Sequence, residues 1–210
     1  LKGHIRGLRQ ARRNANDTIS LIQTAEGGLN EVTNIIVRMR ELAVQAASDT
    51  IGDQERGYTD IEFQLLKDEI DRIARSTEFS GRKLLDGTTG PMEFQIGIRN
   101  DPTLDRIYYD GAEVDATITN LGLSGDTISL KQGAQVSLDR LDRSLDQISG
   151  VRAKLGAIQN RATSIINNLG IYEENLSAAN SRIRDVDVAE ETSELARNNI
   201  LFQSGISVLA

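Results

Sequence analysis

The chain has 210 residues, of which 39% are hydrophobic and 26% are charged, so it can bury a core and is not a disordered polyampholyte. Its net charge of −7 argues against nucleic-acid binding, and it contains no run of 18 apolar residues that could cross a membrane. With one histidine and no cysteine, it lacks the usual ligands of a zinc site and the groups needed for Cys/His catalysis.

The first 48 residues carry a helical pattern with two neighbouring apolar stripes. One stripe repeats at intervals of seven: Leu8, Ala15, Ile22, Leu29, Ile36 and Ala43. The second, which includes Leu21, Val32 and Met39, advances by threes and fours. Two adjoining stripes indicate more than one helical neighbour. We therefore predict a helix over about residues 4–48, whose small residues in "RELAVQAAS" let a neighbour approach closely.

A second, shorter helix is predicted over about residues 54–76, packed alongside the first. Asp53 is the candidate N-cap, and Glu55 falls in the first turn. The apolar residues that mark this helix are Tyr58, Ile61, Leu65, Ile70 and Ile73.

Residues 91–132 change to a strand-like pattern. "MEFQIGI", "RIYYD" and "DATITNLGL" read as strands, and "RNDPT" between the first two is a turn signal. The segment predicts a β-hairpin or a small sheet of three or four strands.

The helical period returns over about residues 135–184. Its apolar positions average one every 3.5 residues, which is typical of a coiled-coil seam. They are Leu138, Leu141, Leu145, Ile148, Leu155, Ile158, Ala162, Ile165, Leu169, Tyr172, Leu176, Ala179 and Ile183.

"DVDVAEE" then predicts another helix start, with Asp187 as N-cap and Glu190 at its third position. The stripe that follows has no stop signal and residue 1 is Leu, so we expect a longer native chain. The fold class predicted is mainly α with a small β region. We expect an elongated antiparallel helical bundle or coiled-coil rod, capped by a β-hairpin or small sheet.

Few residues form a pattern typical of a catalytic or metal-binding site. His4 reads as an exposed helix residue, and "DGTTGP" lacks the Lys-Ser/Thr pair of a phosphate loop. "DVDVAEE" lacks the central glycine and final glutamate of a calcium loop. We therefore predict no enzyme, no cofactor and no metal site. Apolar stripes on several faces favour contacts between copies, and head-to-tail contacts of that kind build filaments.

Several long segments resemble bacterial flagellin, and they occur in the order found in that family. They are "RNAND", "QTAEGGLNE", "RELAVQ", "EIDRIARSTEFSGRKLLDG", "LGAIQNR", "NLSAANSRIRDVDVAEETSEL" and "SGISVLA". The resemblance covers nearly everything except about residues 99–135, a segment too short for an inserted catalytic domain. It implies a rod domain (the family's D1) over residues 1–187 and the start of a C-terminal helix (D0) over residues 188–210.

The resemblance also implies a function. The chain would be an extracellular subunit of the flagellar filament that self-assembles for motility, with an export chaperone and cap proteins as further partners. A hook–filament junction protein of the same fold is the alternative, although such proteins depart more from "RNAND" and "SGISVLA". The exposed monomer surface would be recognised by the vertebrate flagellin-sensing Toll-like receptor.

The interface residues implied by the resemblance are Ile36, Arg38, Leu42, Gln45 and Glu62. Arg38 would act as a bidentate anchor and Leu42 as an apolar plug. Val37 and Leu66 depart from the family, where a glutamine and a basic residue are common.

Overall fold

The computed structural model describes residues 1–184 and 188–209. Its elements are α1 (Lys2–Ala47), α2 (Asp53–Ser76), β1 (Glu78–Phe79), β2 (Arg82–Lys83), β3 (Met92–Gln95), β4 (Arg106–Tyr109), a 3₁₀ turn (Gly111–Val114), α3 (Lys131–Arg184) and α4 (Val188–Leu209). The predicted fold class is therefore confirmed. Among the described helices, none is both long and apolar enough to span a membrane.

Helices α1 and α3 run antiparallel in one fixed register. Arg9 Nε lies 2.6 Å from Glu173 Oε1, and Arg40 Nε lies 2.7 Å from Asp142 Oδ1. These two ion pairs are 31 residues apart on both helices, from 9 to 40 and from 142 to 173. The register is thus kept without slippage over a length of about 46 Å.

The seven-residue stripe of α1 is buried along its whole length, as the sequence pattern predicted. Each of its six residues is at most 2% exposed: Leu8, Ala15, Ile22, Leu29, Ile36 and Ala43. On α3 the buried positions Leu141, Ile148, Leu155 and Ala162 also recur at intervals of seven. Farther along α3, none of the described side chains is buried, and the predicted seam residues Tyr172 and Ile183 are exposed.

The corner between α1 and α2 is held by Arg56. Its side chain is buried, and its Nε and Nη2 donate to the carbonyl oxygens of Ala46 and Ser48 at 2.9 and 2.8 Å. These carbonyls at the end of α1 would otherwise lack a partner. Helix α2 begins at Asp53, with Gly52 as its N-cap. The prediction that Asp53 is the cap was therefore wrong by one residue.

The β region consists of two separate antiparallel hairpins, β1–β2 and β3–β4. The second hairpin pairs Met92 with Tyr109 and Gln95 with Arg106, and its turn contains "RNDPT" as predicted. The strand predicted at "DATITNLGL" was wrong, because residues 115–123 contain a turn at 118–122 and no strand.

Local hydrogen bonds explain why residues 115–123 do not join the sheet. Asp115 Oδ1 accepts from Thr117 N at 2.9 Å, and Asn120 Nδ2 donates to Asp115 O at 2.6 Å. Gly122 has φ +72°, a conformation that favours glycine. Such side-chain bonds to nearby backbone compete with strand pairing.

Polar side chains of α2 hold the irregular segment of residues 115–130 against the rod. Lys67 Nζ donates to the carbonyl oxygens of Ser124 and Asp126, both at 3.0 Å. Asp60 Oδ1 accepts from Ile128 N at 2.7 Å, and an equivalent bond joins Asp71 to Ile118 N. Several backbone groups of this segment are thus satisfied without a sheet.

Helix α4 has its described side chains from residue 190 to residue 207 exposed. Its large apolar residues Leu195, Ile200, Leu201, Phe202 and Ile206 are 53% to 69% exposed. The predicted N-cap Asp187 lies outside the described residues. The division into domains at that point stays a prediction.

Gly28 marks a close approach between α1 and the segment after α2. A Cβ atom at this position would lie 2.6 Å from Leu85 Cδ1 and 2.8 Å from Thr77 Oγ1. Leu85 is fully buried, and the Thr77 hydroxyl is held by a hydrogen bond to Ile73 O. Neither atom can therefore move away easily.

We expect Gly28→Ala to lower the free energy of unfolding, measured by urea titration with circular dichroism. Overpacking costs about 1–3 kcal/mol, more than the helix-propensity gain of about 0.5–1 kcal/mol. Gly27→Ala is the matched control, because no atom lies within 4 Å of its added Cβ. That control should stabilise the protein, and equal effects of the two variants would contradict the close approach.

Candidate interaction surface on the first two helices

Arg38 connects α1 to α2 at the surface. Its Nε donates to Glu62 Oε1 at 2.9 Å, and its Nη1 donates to Glu41 Oε2 at 2.9 Å. These hydrogen bonds raise the pKa of the Arg38 guanidinium above its ordinary value, and the bond to Glu62 has the larger effect. The side chains of Arg38 and Glu62 remain 50% and 46% exposed. The guanidinium is therefore held in place by two carboxylates, while half of the Arg38 side chain stays exposed.

The structure divides the five interface residues implied by the resemblance into an exposed group and a buried group. Arg38, Gln45 and Glu62 are exposed, whereas Ile36 and Leu42 are 0% and 2% exposed. Ile36 and Leu42 belong to the main apolar core of the chain. Leu42 therefore does not fit the role of an exposed apolar plug, because the chain's own core already covers it.

An apolar ridge on α2 is exposed instead. Tyr58, Ile61 and Leu65 are 63%, 59% and 63% exposed, and their spacing of three and four places them on one face of the helix. The buried residues of α2 include Phe63 and Ile70. We call Tyr58, Ile61 and Leu65 the α2 ridge.

The sequence pattern did not reveal that this ridge is exposed. Apolar residues at helical spacing ordinarily indicate a buried face. Here Asp60, Gln64, Lys67 and Asp71 are turned towards residues 115–130, where they bond to backbone groups. One polar stripe of α2 is thus occupied within the chain, whereas the ridge lies on the outward face of the helix.

The neighbouring part of α1 adds two further exposed apolar side chains. Val37 and Val44 are 44% and 50% exposed, and with Arg40 and Glu41 they line a shallow depression. We call the combined surface the α1–α2 face. It comprises Val37, Arg38, Glu41, Val44, Gln45, Tyr58, Ile61, Glu62 and Leu65.

The α1–α2 face combines charged and apolar side chains. Its ion pair is preorganised, and apolar side chains flank it on both helices, a combination found at protein interfaces.

Within residues 1–184 and 188–209, no group of three or more His, Cys, Asp or Glu side chains is arranged to hold a metal ion. The buried hydroxyl of Tyr109 donates to Leu84 O at 2.7 Å, which is a structural contact.

Comparisons with known proteins match both ends of the chain. The family model of the bacterial flagellin N-terminal helical region matches residues 1–89, and that of the C-terminal helical region matches residues 138–210. A flagellin of Halalkalibacterium halodurans is 44% identical over 210 residues, which are 100% of this chain and 76% of the relative.

Solved structures agree on the fold. The crystal structure of Bacillus cereus flagellin has a TM-score of 0.65 and 31% identity, covering 80% of this chain and 94% of that one. A putative flagellar hook-associated protein from Vibrio parahaemolyticus has a TM-score of 0.66 and 13% identity, covering 85% of this chain and 93% of that one. At that identity, the second likeness concerns the fold alone.

We expect the α2 ridge to contribute little to the stability of the monomer. Leu65→Ala should change the free energy of unfolding by no more than about 0.5 kcal/mol, as for other exposed positions. Ile70→Ala, at a fully buried position of the same helix, should cost about 2–5 kcal/mol. Urea titration of both variants checks this, and a large loss for Leu65→Ala would show that the ridge packs within the chain.

Proposed function

The chain belongs to the bacterial flagellin family, and we infer that it is a structural subunit of the flagellar filament, outside the bacterial cell. The likeness includes both α1 and α3, which together form the rod, and this observation carries the inference. The role is mechanical: copies of the rod bind one another and build the filament used for motility.

The hook–filament junction alternative rests on the fold alone. Its solved relative has a TM-score close to that of the flagellin structure, so the backbone does not separate the two functions. The identity to flagellins, which extends over the whole chain, favours the filament subunit.

We assign the α1–α2 face to contacts with neighbouring subunits. Its apolar side chains are exposed on the monomer, and exposed apolar patches on soluble proteins mark interaction sites. The Arg38–Glu62 pair at its centre can orient a neighbour through hydrogen bonds. Gln45, exposed near the end of α1, extends the polar part of the face.

We expect the gene that encodes this chain to restore filaments and swimming in a bacterium whose own flagellin gene is deleted. Electron microscopy and motility in soft agar are the measurements. The control is a strain that lacks a hook–filament junction gene. Rescue of that strain, with no filaments in the first, would contradict the filament role and support the junction alternative.

An export chaperone and cap proteins are further partners that we propose. Helix α4 is the segment we assign to the chaperone, because its exposed apolar side chains need a cover before assembly.

We also propose that the monomer is recognised by the vertebrate flagellin-sensing Toll-like receptor through the α1–α2 face. Arg38 supports this proposal, since its guanidinium is held by Glu41 and Glu62 while its side chain stays half exposed. Such a preorganised arginine loses little conformational freedom on binding and suits an interface anchor.

Arg38→Ala should raise the concentration needed for half-maximal activation of receptor-bearing reporter cells by about tenfold or more. The control is Lys154→Ala, which removes the exposed ion pair between Lys154 of α3 and Glu113 of the 3₁₀ turn and leaves the α1–α2 face intact. Equal dose–response curves for these two variants would contradict the assignment of Arg38.

A further inference from the structure

Two buried charged residues, Lys67 and Asp126, lie behind the α1–α2 face. Lys67 on α2 is 7% exposed, and Asp126 in the irregular segment of residues 115–130 is 5% exposed. Neither side chain is therefore placed to contact a partner at the surface. Charged side chains are rarely buried, because removing them from water is costly unless they are paired.

Lys67 and Asp126 link α2 to α3 through the irregular segment. Lys67 Nζ donates to the backbone oxygens of Ser124 and Asp126, both at 3.0 Å. It also donates to Gln64 Oε1 at 3.0 Å, so the ammonium makes three hydrogen bonds. The Asp126 carboxylate in turn pairs with Arg140 of α3. Since the principal helix contact of α2 is with α1, this segment is the main connection between α2 and α3.

Stability alone does not account for this buried network. Apolar residues of similar size often stabilise a protein as well as a buried ion pair does. Oδ2 of Asp126 is also buried and has no hydrogen-bond partner among the described residues, which adds to the cost of the network. Directed hydrogen bonds instead permit only a narrow range of geometry, because each donor has to meet its acceptor. The network is therefore suited to fixing the position of α2.

The network and Glu62 lie on opposite flanks of α2. At about 100° per residue, Lys67 and Asp71, which bond to the irregular segment, follow one side of the buried position Phe63. Glu62 lies on the other side. A roll of α2 by about 20° would move a side-chain end about 6 Å from the helix axis by about 2 Å, which breaks a hydrogen bond. The bonds on the far flank thus influence whether Glu62 meets Arg38.

We propose that Lys67 and Asp126 are positioning residues of the α1–α2 face, which hold α2 in the rotation at which Glu62 meets Arg38. The proposal deepens the receptor recognition proposed above and rests on it. Both buried residues act through Glu62, whose carboxylate accepts a hydrogen bond from Arg38 Nε at 2.9 Å. Receptor recognition then depends on residues that the receptor does not touch.

The Arg38 Nε–H group reports the position of α2 in NMR spectra of the ¹⁵N-labelled protein. Its signal is assigned by its loss in Arg38→Ala. Lys67→Met removes the hydrogen bonds of the ammonium and keeps the length of the side chain. It should accelerate exchange of the Arg38 Nε proton with water by about threefold or more, as expected for residues coupled through one network. The matched control is Lys154→Met, at an exposed lysine of α3 outside the α1–α2 face, which should leave this exchange unchanged.

The receptor assay separates positioning from a general loss of stability. Lys67→Met should raise the concentration needed for half-maximal activation by about threefold or more. It should have no further effect when Glu62→Ala is already present, because the residue through which it acts is then missing. A role limited to stability would weaken activation equally in both backgrounds.

Asp126→Asn repeats both measurements with the Lys67 ammonium in place, and it serves as the test if Lys67→Met does not fold. Slow exchange of the Arg38 Nε proton in both variants would overturn the proposal, as would equal effects of Lys67→Met with and without Glu62→Ala. An unchanged receptor response to Arg38→Ala would instead contradict the receptor function, and the NMR measurement would still decide whether the two buried residues position α2.

Discussion

The antiparallel packing of α1 on α3 forms the rod against which α2 and the two hairpins pack. Both helices bury residues at intervals of seven, and two ion pairs with equal separation on the two helices show that the register does not slip. Several of the buried positions, including Ala15, Ala43 and Ala162, are alanines, which allow the backbones to approach closely. A shift of register would place large side chains opposite one another and separate the charged pairs. The positions of α2 and the hairpins along the rod follow from this register.

Helix α2 then has an unusual division of its surface. Its polar residues bond to backbone groups of the segment after the 3₁₀ turn, and Lys67 is nearly buried in doing so. An irregular segment inside a protein needs such partners, because unsatisfied backbone groups are costly. One polar stripe of α2 is used inside the chain, and the outward face of the helix carries the α2 ridge together with exposed polar residues such as Glu62. The same arrangement thus holds the irregular segment in place while it leaves the α2 ridge exposed.

The features that could be predicted from the sequence are those that repeat locally. The heptad of α1 and its burial followed from Leu8 to Ala43, and the β3–β4 hairpin followed from alternation around "RNDPT". The exposure of Tyr58 and Ile61 could not be predicted, because it depends on where Asp60 and Lys67 find their partners far along the chain. The strand predicted at "DATITNLGL" was wrong for a related reason, since side chains of this segment bond to its own backbone.

The segment "RELAVQ" illustrates how one helix serves two purposes. Leu42 faces the core, whereas Gln45 and the preceding Arg38 face outward. Substitution of an outward residue leaves the core contacts in place, so the surface can vary while the rod keeps its stability. The inward alanines cannot grow without separating α1 from its neighbours. A subunit that must be stable alone and yet bind many copies of itself needs this separation, because its contact residues have to remain exposed until assembly.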